Sequence, residues 1–176
     1  YEDFERARAK LVELRGQMPH ATAANYELQD AGGAVTLADL FGAHDDLIVI
    51  HNMGAGCAYC TMWADGFNGL LPHLENRAAF VVISPDAPTS QQRFAEKRGW
   101  RFRMASSAGT TFRADMGFQA GDELTPGVSV FHRATDGTIT HVGRDVFGPG
   151  DLYCSAWHLF DLLPGGSGDW EPQFTY

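Results

Sequence analysis

The sequence predicts an α/β fold, a mixed central sheet flanked by helices, on three observations. The first is a buried apolar run, Leu47-Ile48-Val49-Ile50, followed by a glycine-bordered loop and then helical apolar spacing from Cys57 to Leu74. The second is another apolar run, Ala78 to Ser84. Two such runs joined by a helix form a βαβ unit with parallel strands. The third is VSVFHRATDGTITHVG, two β-rich runs around Asp136-Gly137, which predicts an antiparallel hairpin closed by a type I′ turn. The expected sheet has about five strands. A chain of 176 residues can bury one real core and is short for two ordinary domains, so residues 1–176 read as a single domain.

Each element has its own signal. Phe4, Ala7, Leu11, Val12 and Met18 recur at helical spacing, giving an amphipathic helix over about 1–18 that stops before Pro19. Asn25 to Leu28 reads as an extended edge, Ala31-Gly32-Gly33 as a turn, and Val35 to Phe41 as a strand end passing into one helical turn. Leu47 to His51 is the buried strand, broken by Met53-Gly54-Ala55-Gly56. Pro85 and Pro88 end the second buried strand, and Thr89 or Ser90 caps a helix over Gln91 to Arg98. Trp100 to Met104 is short and extended. Ser106 to Gly121 is a glycine-punctuated connection with a helix around Thr110 to Met116. After the hairpin, a helix from about Asp151 to Leu163 is apolar at Leu152, Ala156, Leu159, Phe160 and Leu163. Pro164 stops it, and an irregular tail follows over about 164–176.

Composition narrows the class. A net charge of -9 argues against nucleic acid as a partner. No apolar run approaches the roughly 20 residues that span a bilayer, and the charged opening YEDFERARAKLVELRG is unlike a signal peptide. Three cysteines do not make a disulfide scaffold. A redox-active pair in a reducing compartment, the cytoplasm, is the expected setting.

That pair is Cys57 and Cys60. A thiol at a helix start lies beside unpaired N–H groups and the positive end of the dipole, which favours thiolate near neutral pH. Cys60 falls one turn further on, within reach of a disulfide. Thiol–disulfide exchange follows: Cys57 attacks, a mixed disulfide forms, and Cys60 resolves it. His51, six residues before Cys57, is a candidate to take the proton from Cys60, or else a strand-end histidine bonded to backbone. Tyr59, Trp63 and Asp65 are the candidate substrate contacts, although Trp63 also fits core packing and Asp65 either a surface position or a proton partner. No cofactor and no resident metal is called for. The partners implied are a protein or small-molecule disulfide or thiol and a reducing partner, with the oligomeric state open and a homodimer among the options.

CAYC after a buried strand, and TPGVSVF leading into the hairpin, together resemble the thioredoxin-like layout. That fold places a cis-proline where Pro126 stands, so the resemblance implies a cis Thr125–Pro126 bond presenting the Thr125 backbone to substrate. The stretches VTLADLF, LIVIHNMG, TMWADGFNGLLPHLENRAAFVVIS, GWRFRMASS and LTPGVSVFHR also resemble a bacterial thioredoxin-like family, domain of unknown function 899. The resemblance implies the same fold and a redox role at Cys57 and Cys60, without a substrate. Ala58 stands where many relatives carry Pro.

Three other readings compete. The cysteines can be a structural pair in a non-catalytic binding module. They can hold half of a zinc site, but no second CxxC exists, and Cys154 with His158 and Asp161 on the last helix is a metal-compatible spacing that also fits a solvated face. A peroxide reductase is suggested by SPDAPTSQQRFAEKRGWRFRM, which resembles a peroxiredoxin region. The PxxxTxxC motif of those enzymes is missing, since neither Pro nor Thr occurs between His51 and Cys57, and no arginine can be placed beside the cysteine from sequence.

Overall fold

The computed structural model describes residues 1–176. It opens with helix α1 (Glu2–Gly16), followed by short strands β1 (Ala21–Thr22), β2 (Glu27–Asp30) and β3 (Gly33–Thr36), and a 3-10 turn at Ala38–Phe41. Next come β4 (Asp46–His51), α2 (Ala58–Arg77), β5 (Ala79–Ser84), α3 (Pro88–Arg98) and β6 (Arg103–Ser106). The chain finishes with α4 (Phe112–Asp115), β7 (Gln119–Ala120), β8 (Glu123–Leu124), β9 (Gly127–Arg133), β10 (Ile139–Val146) and α5 (Ser155–Phe160).

The main sheet has eight strands rather than about five, in the order β1-β10-β9-β4-β5-β6-β2-β3. The expected core is its middle: β4, β5 and β6 run parallel, and β9, which pairs with β4, runs antiparallel to it and to β10. Short strands too brief to show periodicity extend both edges, β1 on β10 and the β2–β3 hairpin on β6. β7 and β8 make a separate two-stranded ribbon.

β4 is central because its alternation feeds two cores. Leu47 and Val49 join Leu28, Phe41, Val81 and Phe131 on one face. Ile48 and Ile50 meet the cluster of Cys60, Trp63, Phe67, Phe80 and Val82 on the other. The first face is closed by the 3-10 turn and α4, the second by α2, Trp100 and the Trp157 side of α5.

Several local expectations are corrected. The hairpin turn is not type I′, because Asp136 does not adopt positive φ and only Gly137 does, at +86°. Ala134 N–H bonds Thr138 O and Gly137 N–H bonds Ala134 O, both at 2.9 Å, so the loop is one residue longer and glycine takes the left-handed position. α3 begins at Pro88 with Ala87 before it, since proline needs no N–H partner in a first turn. α5 is only Ser155–Phe160: the Asp151 carboxylate accepts from Tyr153 and Cys154 N–H at 2.7 and 3.0 Å, holding a turn where the helix was expected. α1 forms as expected, yet it buries no residue and is tied down by Arg15, which pairs with Asp145 and lies 3.3 Å from the Tyr153 hydroxyl.

Leu47 has no solvent exposure and sits where β5 and β9 flank β4. Leu47→Ala is expected to lower the unfolding free energy by about 2–5 kcal/mol, measured by urea denaturation. A loss under about 1 kcal/mol would contradict the packing described.

Candidate functional site: a reduced dithiol at the start of α2

β4 ends at His51, and the loop Asn52–Gly56 turns the chain into α2. Asn52 N–H continues the ladder to Ile83 O at 2.8 Å, while its side-chain oxygen accepts from Gly54 N–H at 2.7 Å. Gly54 must be glycine on two counts. Its φ is +107°, and a Cβ would lie 2.9 Å from both carboxylate oxygens of Asp86. That carboxylate also accepts Ala55 N–H at 2.8 Å, so the loop is pinned from β5's end.

Cys57 is the N-cap of α2, in extended conformation, and its sulfur accepts Cys60 N–H at 3.0 Å. The sulfur therefore takes the place of the oxygen that usually satisfies an orphan donor in the first turn. Cys57 is half-buried and Cys60 buried; neither is in a disulfide. Cys60 Sγ accepts Met53 N–H at 3.4 Å. Thr61 reinforces the turn by donating its hydroxyl to Cys57 O at 2.9 Å.

The two thiols are made unequal by these contacts. The Cys60 thiol donating to Cys57, aided by the N–H groups of Cys60 and Tyr59 against the effect of burial, brings the Cys57 pKa from its ordinary 9.0 down to about 7. Cys60 is pushed up, first by that same hydrogen bond and then by burial. Of the two sulfurs, the half-buried one of Cys57 therefore ionises first, while Cys60 keeps its proton.

The other expected site residues divide. Tyr59 stays half-buried beside the dithiol, its ring 6.1 Å from that of Trp63 and 6.3 Å from that of Trp157. Trp63 is core, 3% exposed and packed on Phe147. Asp65 is corrected: it pairs with Arg98 and accepts the Trp100 indole N–H at 2.7 Å, tying α2 to α3. Five residues past Cys60 is about 140° around the helix, which turns Asp65 away from the thiols.

His51 is corrected too. Its ring stacks on Phe118 at 4.0 Å and on Phe112 at 5.5 Å, and Nε2 lies 3.0 Å from Ser129 Oγ. Strand alternation puts it with the Leu47 face, across the sheet from Cys60, and neither thiol is among its partners. Burial, with Arg113 and His141 nearby, holds its pKa well below the usual value, so it is neutral. The Thr125–Pro126 bond is trans, as is every peptide bond in the chain. Thr125 is held in place: its N–H bonds Phe118 O at 3.0 Å and its carbonyl accepts Arg113 Nη2 at 3.2 Å. Its backbone is therefore committed within the protein rather than presented to a substrate strand.

Cys154 packs in the second core, with burial raising its pKa, whereas His158 is exposed. The expected trio with Asp161 therefore does not share a face.

The residue that sequence reasoning missed is Arg113. It is 1% exposed and reaches four backbone carbonyls: Asn52 at 2.9 Å, Thr125 at 3.2 Å, Ile83 at 3.4 Å and Phe118 at 3.5 Å. Only its embedding between Phe112 and the apolar Met116-Gly117-Phe118 run hinted at burial.

An apolar cavity of about 270 Å³ lies elsewhere, between α2 and the sheet, lined by Ile48, Ile50, Phe67, Phe80, Val130 and Phe147. Neither thiol of the dithiol lines it.

A family model described as bacterial protein of unknown function, DUF899, matches residues 2–174. The chain belongs to that family. A search of curated proteins gives no match. Among solved structures, the chain is similar to peroxidoxin BcpB from Mycobacterium tuberculosis, with 29% identity and a TM-score of 0.54 over 68% of this chain and 80% of that one. It is also similar to a peroxiredoxin-like protein from Aquifex aeolicus, 17% identical with a TM-score of 0.56 over 71% and 73% of the chains. A third is a cysteine-to-serine mutant of PrxQ from Xylella fastidiosa, 18% identical with a TM-score of 0.54 over 74% and 87%. Together these neighbours establish the thioredoxin-like, peroxiredoxin-like fold of the DUF899 chain, and the 29% identical peroxidoxin supports thiol-dependent redox chemistry at a coarse level. No helix is long and apolar enough to cross a membrane.

Alkylation of Cys57 should titrate with a midpoint near pH 7, and Cys57→Ser should remove that titration. A midpoint at the ordinary 9.0 would refute the capping account. Because the folded pKa is depressed, the thiolate's contribution to stability is full above about pH 9 and is lost as pH falls through about 7. Stability relative to Cys57→Ser should therefore be greater at about pH 9 than at about pH 6.

Proposed function

We propose that the protein is a thiol–disulfide oxidoreductase working through Cys57 and Cys60 in the reducing cytoplasm. The observation that supports this most is the asymmetric dithiol: an accessible sulfur capping a helix with a lowered pKa, and a buried thiol directly behind it. In exchange, the Cys57 thiolate attacks one sulfur of a substrate disulfide. The substrate S–S bond breaks, a Cys57–substrate disulfide forms, and the other substrate sulfur leaves and takes a proton. Cys60 then loses its proton and attacks Cys57 Sγ, closing the Cys57–Cys60 disulfide and expelling the second substrate thiolate. Two electrons pass from protein to substrate, and a separate thiol reductant restores the dithiol. We assign the substrate contact to Tyr59, half-buried next to the Cys57 sulfur.

A second reading, peroxide reduction, draws support from the peroxiredoxin neighbours. In it the Cys57 thiolate attacks one peroxide oxygen, the O–O bond breaks to give a Cys57 sulfenic acid while the other oxygen leaves and takes up a proton as water or alcohol, and Cys60 then displaces water to form the same disulfide. All of the buried arginine's hydrogen bonds go to backbone carbonyls and none to Cys57, which favours exchange.

Wild type should reduce insulin disulfides with dithiothreitol as reductant, and Cys57→Ser should fall at least about a hundredfold, to the rate without protein. Cys60→Ser should accumulate a mixed disulfide visible by mass spectrometry. Consumption of hydrogen peroxide without insulin reduction would move the assignment to the second reading; equal activity of wild type and Cys57→Ser in both assays would sink both.

A further inference from the structure

Arg113 is a buried cation with no anionic partner. None of the chain's ion pairs includes it. Its partners are all neutral carbonyls, and its Nε is buried with no partner at all. Taking a charge out of water is costly unless it is compensated, and compensation usually comes from a carboxylate. Here the fold retains the charge and omits the carboxylate.

Its position shows what anion it could meet. Nη1 donates to Asn52 O at 2.9 Å, and the following N–H, that of Met53, donates to Cys60 Sγ at 3.4 Å. Asn52 Nδ2 also reaches Cys60 O at 3.5 Å. The guanidinium and the buried thiol thus hold opposite edges of the Asn52–Met53 peptide: the charge polarises the carbonyl of the same group whose N–H points at Cys60 Sγ. Its charge works in the direction of lowering the Cys60 pKa, against the larger effects of the Cys57 hydrogen bond and burial. Burial lowers the arginine's own pKa only to about 10, so it remains charged at neutral pH.

The other titratable groups around this floor cannot take its place. Cys57, on the loop, is the partner being attacked. His51, from β4, is neutral and faces Ser129 and the phenylalanines. Asp86, from the β5–α3 loop, is engaged by Ala55 N–H. Cys154, ahead of α5, is kept protonated by burial.

We propose that Arg113 is a positioning residue for the resolving step, its buried charge stabilising the thiolate that Cys60 becomes when it attacks the Cys57 mixed disulfide. This rests on the exchange chemistry proposed above. While Cys57 is the thiolate, Cys60 keeps its proton as the donor in their hydrogen bond. Once Cys57 is bonded to substrate, that anion is gone, and ionisation of Cys60 is opposed only by burial. A fixed positive charge on the far edge of the peptide that donates to Cys60 Sγ then lowers the cost of losing the proton to solvent. The thiolate attacks Cys57 Sγ, and the outgoing substrate thiolate carries away the electron pair and takes up a proton. The charge is thus idle in the resting dithiol and used in the second half-reaction.

Reaction with a small aromatic disulfide whose thiol is coloured separates the halves, since attack by Cys57 releases one coloured thiol and resolution by Cys60 a second. In Arg113→Met the first release should stay within about threefold of wild type. The second should slow at least about tenfold near pH 7 and recover as pH rises. Arg113→Lys, which keeps the charge but loses the fork, should restore most of the second rate even if both variants lose stability. Equal slowing of both releases, or a Lys variant as slow as Met, overturns the inference and leaves Arg113 a structural tie. If wild type shows no first release, the exchange reading fails instead. Should Arg113→Met not fold, Cys57→Ser carries the test by NMR. There the Cys60 Cβ and Arg113 Nε resonances should titrate with one midpoint. A Cys60 that stays protonated to about pH 11, or an Arg113 signal that does not follow it, overturns the inference.

Discussion

One guanidinium joins the segments from which the site is built. Arg113 binds the carbonyls of Asn52 after β4, Ile83 near the end of β5, Phe118 ahead of β7 and Thr125 ahead of β9. β4 and β5 run parallel, so their C-terminal ends come together at one rim of the sheet, while β9 runs antiparallel and begins there. At that rim the sheet ladder no longer satisfies every carbonyl, and carbonyls buried without donors would be costly. The arginine supplies the donor for Asn52 O and Thr125 O and a second one for Ile83 O and Phe118 O, which already accept Asn52 and Thr125 N–H. The dithiol loop leaves the sheet from the same rim, so its geometry depends on this tie.

The dependence runs through short-range contacts. Asn52 is held by the ladder, by Arg113 and by its own bond to Gly54 N–H, leaving Met53 N–H aimed at Cys60 Sγ. Gly54 turns where no side chain fits beside Asp86. α2 then begins with sulfur in the capping position, and the helix places Cys60 behind Cys57. Nothing in the arrangement requires a general base. The acidity of Cys57 comes from donors fixed by the backbone and the neighbouring thiol, which need no proton transfer to become effective.

Much of this was legible in the sequence, and what was not has a physical explanation. The apolar runs of β4 and β5 and the spacing of α2 are long enough for periodicity to speak, so the two strands and the helix between them were legible. The edge strands β1, β2 and β3 span 2 to 4 residues, too few for a pattern, which is why the sheet was underestimated. Analogy with the thioredoxin layout supplied a cis bond at Pro126 and a proton partner at His51, and both failed. Thr125 is fixed by Phe118 and Arg113, and His51 is occupied by Ser129 and two phenylalanines. Arg113 escaped for the opposite reason. Its partners are carbonyls, which every residue has, so no complementary charge in the sequence could reveal them.

A purely structural tie would be well served by a neutral donor, or by an arginine with a nearby carboxylate to offset its charge. The fold offers acidic side chains in quantity, 22 in the chain, and none pairs with this one. Asp86, the acidic residue that braces the loop, is engaged by Ala55 N–H beside Gly54. A carboxylate inside would neutralise the guanidinium permanently, and its own charge would oppose ionisation of Cys60. Leaving the position without one keeps the potential at the floor of the site positive. Such a potential favours an anion that forms only during turnover, and the buried sulfur of Cys60 is the atom placed to become it.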